Sequence, residues 1–298
     1  MPSDQQTLPR STWLLLAALT LGWGFNWPMM KIALAEVPVW TFRAVCVAGG
    51  GAGMFVAAWR SGLRMRPPPG NWGALGATAL CNVTLWNVLI AQGLTHLPAG
   101  RSVILAYTMP LWVVVLSRVV LSEALTRRRM IGLGLGMAGM LVLIGNELAV
   151  LRSAPVGALL VLSAAFSWAM GTVLMKRFPT DLPTTSFTGW QMFIGGLPIA
   201  LGALLIDPGH WHPIGWPAFG AVLYNVFIAF ILCHWAWFKI VSRASAGVSA
   251  LGTLLIPVVG VFSSMLLLGE RPTCAEYLAM LLVFGALATV LVPRHRAA

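Results

Sequence analysis

The chain has 298 residues, of which 58% are hydrophobic and 9% charged, with a mean hydropathy of +0.84 and a formal net charge of +11. Soluble domains carry about 25% charged residues, so this composition excludes a soluble fold and places the chain in a bilayer. The positive charge could suit nucleic acid, but its distribution along the chain excludes that partner, as the spans below make plain.

A helix crossing a membrane needs about 20 apolar residues. Taken in order, such runs are predicted at 12–34, 39–59, 72–93, 98–121, 130–148, 154–176, 184–206, 216–238, 244–268 and 273–292. They are apolar all round and about twice as long as the strand of a membrane barrel, which excludes a β-barrel. The connections between them leave no room for a soluble domain. The first run reads as a retained span rather than a cleaved signal. The fold class expected is therefore all-α integral membrane, with ten transmembrane helices.

Letting the spans alternate, with the N-terminus inside, puts fourteen Lys and Arg on one face and four on the other, with Arg43 inside the second span. That asymmetry follows the positive-inside rule and assigns both termini to the cytoplasm of an inner-membrane protein. Arg43 lies about one turn from the outer end of its helix, where it is expected to snorkel or to pair with Glu36.

The first run contains GWGFNWPMMK (22–31), and the sixth contains SWAMGTVLMK (167–176). Trp23 falls on Trp168, Met30 on Met175 and Lys31 on Lys176, at an offset of 145. A second pair matches Gly100 with Gly247, Pro110 with Pro257 and Glu123 with Glu270, at an offset of 147. Two halves follow, 1–150 and 151–298. Five spans is an odd number, so the second half enters the membrane from the opposite side. Such an inverted repeat can pack in two nearly equivalent ways and open a central cavity to either face in turn, which points to transport.

These paired motifs carry a resemblance. W-G-x6-K at the first helix, W-A-x6-K at the sixth, Pro110 and Pro257, and the helix-ending Ser122-Glu123 and Gly269-Glu270 together resemble the EamA-type exporters of the drug/metabolite transporter superfamily. The resemblance covers the whole chain. It implies two five-helix repeats around a central cavity lined by helices 1, 3, 4, 6, 8 and 9, and export of amino acids or other metabolites. The tryptophan content is similar to that of bacterial aromatic amino-acid exporters. The halves differ chemically, because Ala169 and Gly171 stand where the first half has Gly24 and Asn26.

Polar groups at membrane depth must find partners or line a cavity. Asn26, Asn82, Trp86, Tyr107, Trp168, Tyr224 and Asn225 are the candidate cavity residues; Asn87, Gln191 and His234 are also buried polar positions. A bond to a neighbouring helix is the alternative for each one singly. Trp86 lies one turn from Asn82, and Trp168 is the repeat mate of Trp23. A flat apolar wall beside amides suits a neutral amino acid. Pro28 leaves the Gly24 carbonyl without its helical partner; Pro110 and Pro257 do the same at Ala106 and Thr253. All three mark irregular helix, with hinges favoured at Pro110 and Pro257.

Glycine clusters at 49–53 and 132–139 read as close-packing faces. They lack the Lys-Ser/Thr of a phosphate loop, so no ATP is expected. Cys46, Cys81, Cys233 and Cys274 have no metal-ligand spacing, and no metal or other cofactor is expected. The eight carboxylates avoid span centres, so the function expected is facilitated efflux of a small-molecule substrate, by a monomer in the lipid bilayer. Proton-coupled metabolite or multidrug export through His234 is the alternative. A membrane-embedded enzyme is the reading from another class; it rests only on the outer-loop pair His210 and His212 with Asp207, for which a solvated loop is the better account.

Overall fold

The computed structural model describes residues 10–122, 127–148, 155–208, 213–241 and 255–291, and among them there are helices but no strands. Glu123, His210, His212, Gly247, Thr253 and His295 lie outside the described residues. The helices are α1 Arg10–Leu34, α2 Val39–Arg60, α3 Trp72–His96, α4 in two pieces (Ala99–Ala106 and Met109–Val120), α5 Arg127–Leu148, α6 Pro155–Arg177 and α7 Thr184–Leu205. α8 is a run of Trp216–Tyr224, Asn225–Leu232 and Cys233–Val241; α9 is Ile256–Leu268 and α10 is Cys274–Leu291. Six of these runs among the described residues are long and apolar enough to cross a membrane: α2, α3, the two pieces of α4 together, α6, α7 and Trp216–Trp237 of α8. Large apolar side chains such as Leu14, Val119, Leu204 and Leu266 are exposed around the outside, as a lipid-facing surface requires.

The helices pair in a regular way. α2 packs along α7, α5 along α10, and the first piece of α4 on α9. α1 packs on α9 and α8, while α6 packs on α4 and α3. Exchanging α1 with α6, α2 with α7, α3 with α8, α4 with α9 and α5 with α10 leaves these pairings unchanged. Glycine makes the close approaches possible. A Cβ on Gly50 of α2 would lie 2.8 Å from Phe230 of α8, and one on Gly195 of α7 would lie 2.7 Å from Val83 of α3. These two glycines are repeat mates, so each half uses the same small residue against the matching helix of the other.

Pro28 sits inside α1 and removes one helical bond. The Gly24 carbonyl it frees is met by Ser263 Oγ of α9, 3.3 Å away. α4 is interrupted at Tyr107 and Thr108, and Pro110 falls in the first turn of its second piece. Pro257 falls in the first turn of α9. Both prolines therefore stand where their missing N–H costs nothing, rather than mid-helix as the sequence suggests. The ends of α4 and α9 also match: Ser122 has φ 55° and Gly269 has φ 66°, left-handed at equivalent positions.

The expectation for Arg43 needs correction. Its side chain is only 2% exposed and neither snorkels nor meets Glu36. The guanidinium donates to Met30 Sδ at 2.8 Å and lies 4.9 Å from the Phe42 ring centre. Glu36 is occupied elsewhere, accepting the Gly215 backbone N–H. The other nearby carboxylate, Asp207, takes the Thr41 N–H at 2.7 Å and its hydroxyl at 2.8 Å, which caps the start of α2.

Candidate functional site

Two of the long helices contain a wider, π-helical stretch at mid-length: Leu80–Leu85 in α3 and Asn225–Leu232 in α8. Such stretches break the i→i−4 register and concentrate at functional sites. Each holds one of the asparagines singled out above, Asn82 and Asn225. Each also faces the tryptophan-motif helix of the other half. In α8 the Ala229 carbonyl accepts Trp23 Nε1 of α1 at 3.1 Å and His234 Nδ1 at 3.0 Å. A carbonyl has two lone pairs and can hold both donors. Tyr224 Oη donates to the Gly22 carbonyl at 2.9 Å. In α3 the Cys81 carbonyl accepts Ser167 Oγ of α6 at 2.8 Å.

The candidate residues divide between these two seams. On the α3–α6 seam the rings of Trp86 and Trp168 are 4.9 Å apart between centres. Asn82 is buried there, its carboxamide lying in the space that a side chain at Gly171 would fill, with Nδ2 3.4 Å from Met175 Sδ. On the α1–α8 seam, His234 is edge-on to Trp23 at 5.5 Å and stacks on Phe230 at 5.7 Å. Asn225 is fully buried, and its Nδ2 donates to Ala221 O at 2.9 Å. Asn87 likewise spends its Nδ2 on Val83 O, 2.9 Å away. Tyr107 is buried at the break in α4.

The oxygens tell the other half of the story. Asn26 Oδ1, Asn82 Oδ1 and Asn225 Oδ1 are buried and accept no hydrogen bond from any described residue. Unmet acceptors of this kind each cost about 1–3 kcal/mol. Three of them, one on α1 and one on each π-helical stretch, are unmet acceptors. That electrostatic character suits a ligand bearing N–H groups. His234 is fixed in one tautomer when neutral: its bond to a carbonyl requires the proton on Nδ1, which leaves Nε2 as the acceptor.

Sequence reasoning noted Gly171 and Met175 only as repeat positions and gave no site role to them or to Ser167 and Ser263. Single hydroxyls, glycines and methionines carry no polar signal in an apolar run, and only their neighbours reveal them. It also missed Lys31, which extends to the carbonyls at the end of α3, donating to Leu94 O and to Leu97 O, the latter at 2.7 Å. Its position at the close of the repeated motif was the available signal.

A model of the EamA-like transporter family matches residues 10–145 and again residues 155–292. The chain belongs to the EamA-like transporter family. It is thus a transporter and not an enzyme, and a multi-pass protein of the inner membrane. It is 31% identical over 294 residues to the uncharacterized transporter YvbV of Bacillus subtilis (strain 168), covering 95% of this chain and 92% of that one. It is 28% identical to a probable amino-acid metabolite efflux pump of Salmonella typhimurium (strain LT2), covering 94% of each. To the protein so named in Escherichia coli (strain K12) it is 26% identical, again over 94% of each. A crystal structure 24% identical to it shares the fold, with a TM-score of 0.65 over 94% of this chain and 96% of that one.

Proposed function

We propose that this EamA-family transporter exports small neutral metabolites, foremost neutral amino acids with aromatic or hydrophobic side chains, by alternating access and facilitated diffusion. The observation that carries the reading is the crossed seam: each half's tryptophan helix rests on the π-helical stretch of the other half, and buried, unmet amide oxygens lie on those elements. Two oppositely inserted five-helix halves, 1–150 and 151–298, with both termini cytoplasmic, give such a seam two packings. Two of its relatives are named as amino-acid metabolite efflux pumps, which supports the substrate class.

In this reading the Asn26, Asn82 and Asn225 oxygens accept from the substrate's ammonium group. The Trp86 and Trp168 rings take its side chain, and Tyr107 and Tyr224 close the ends. Pro28, Pro110 and Pro257 mark where the helices yield, the Tyr107–Thr108 break in α4 being the main joint.

The test is efflux of labelled leucine, phenylalanine, a nucleoside and a cationic drug from proteoliposomes. The expected result is downhill loss of the amino acids without ATP, slowed about tenfold or more in Asn82→Ala and Trp86→Ala. Normal rates in both variants would discard the site. Proton antiport is the second reading, favoured by one observation: His234, an ionisable side chain, is packed between the Trp23 and Phe230 rings beside a π-helical stretch. Uphill accumulation driven by a pH gradient, and lost in His234→Ala, would select it over facilitated diffusion.

A further inference from the structure

A cavity lies apart from the two seams. It has a volume of about 140 Å³ and sits between the start of α4 and the α9–α10 turn, lined by Arg101, Ile104, Val261, Glu270, Arg271 and Glu276 among others. Charge counting assigns this end of the molecule to the outside. Four charged side chains around one hollow is a high density in a chain only 9% charged.

Their bonding is unequal. Glu276 is committed: Oε1 accepts Arg101 Nε at 3.0 Å, and Oε2 accepts the Thr273 N–H at 2.6 Å and its hydroxyl at 3.1 Å. Glu270 is less so. Its Oε1 accepts Ala99 N–H at 2.7 Å and its Oε2 accepts Gly100 N–H at 2.9 Å. A carboxylate offers about four lone-pair sites, so each oxygen keeps one. Arg271 is exposed on the rim and makes no ion pair with any described residue. Behind these groups the floor is apolar, formed by Ile104 and Val261. The hollow thus offers an exposed cation, a part-used anion that also faces the Lys31 ammonium, and a floor of Ile104 and Val261 in one place.

We propose that this cavity is an outer subsite for a small zwitterion, with Arg271 holding its carboxylate, Glu270 its ammonium, and Ile104 and Val261 its side chain. Size decides the class. The volume of about 140 Å³ is below the roughly 300 Å³ at which drug-sized sites begin. A single amino acid fits that description; a drug does not. The walls come from both halves of the chain, α4 from the first and α9–α10 from the second, so the subsite reshapes whenever the halves move. The proposal rests on the amino-acid reading above and deepens it.

The test is ligand-induced thermal stabilisation of the detergent-purified full chain by leucine, against leucinamide, which lacks the carboxylate. Leucine is expected to raise the Tm more than leucinamide. Arg271→Gln and the cavity-filling Ile104→Trp are each expected to remove at least half of the leucine shift, and Arg271→Lys to keep most of it. Arg271 is exposed, so its variants should match the unliganded Tm of the wild type. A full leucine shift in both Arg271→Gln and Ile104→Trp, or equal shifts with leucine and leucinamide, overturns the subsite. The outcomes separate from those of the transport assay. Efflux with no Arg271-dependent binding removes the subsite alone, and Arg271-dependent binding with no efflux removes the amino-acid export reading alone.

Discussion

Asn82 and Gly171 form the tightest chemical fit at a candidate position. A methyl group at 171 would collide with the Asn82 carboxamide. Overpacking of this kind costs about 1–3 kcal/mol, so Gly171→Ala should lower the Tm in detergent and slow efflux. Adding Asn82→Ala should recover the Tm but not the efflux rate, because the space returns while the amide does not. Recovery of both would assign Asn82 to packing alone. Ser122 makes a separate residue-scale case. A non-glycine residue in the left-handed region costs about 1–2 kcal/mol, and the equivalent position in the second half is Gly269. Ser122→Gly is expected to raise the Tm, whereas Gly269→Ser should lower it. No change in either would mean the two turns relax freely.

Among the elements, α4 is broken into two helical pieces and takes its cap from the opposite half. Its first helical piece begins on the Glu270 carboxylate, which takes the N–H groups of Ala99 and Gly100 across the seam. A lost cap costs about 0.5–2 kcal/mol. Glu270→Ala should therefore destabilise by that order, and Glu270→Gln by less, since the amide oxygen still accepts one bond. Chemical denaturation in micelles measures both; equal loss would make charge, not acceptance, the cause. This coupling is why Arg271 and Ile104, rather than Glu270, are the informative variants for the outer cavity. The break at Tyr107 and Thr108 predicts a kinetic effect. Pro110→Ala allows α4 to run straight, and the initial efflux rate should fall while the Tm holds or rises. An unchanged rate would remove α4 as a joint.

At the scale of the whole molecule, the exchange-symmetric pairing of helices predicts a topology. A reporter active only in the cytoplasm should work when fused at the C-terminus or after Arg64. A reporter active only outside should work after Pro208. The reverse pattern would contradict the orientation read from the basic residues. The end of the molecule that carries the charged cavity is held by contacts between α4 and the α9–α10 region, Glu270 to α4 and Arg101 to Glu276. If the proposed alternating access opens that end, these contacts break, which would place the charged cluster and the α4 break on the same motion.

Much of this was readable from the chain itself. Apolar runs of about 20 residues require helices in a bilayer because no other open structure satisfies its backbone there. The offset motifs at Trp23 and Trp168 were the signal for an internal repeat, and the family model matches residues 10–145 and again 155–292. Pro28 announces an unpaired carbonyl for the same local reason. What the chain could not announce is which group answers: that Ser263 meets Gly24, that Asn82 nests against Gly171, that Arg43 turns to Met30 rather than Glu36, and that Glu270 closes on Ala99 and Gly100. Those partners are separated by tens to hundreds of residues, and only close packing of the helices brings them within a hydrogen bond. Periodicity and composition fix each helix by itself, while the pairing of side chains across helices depends on their register and rotation in three dimensions.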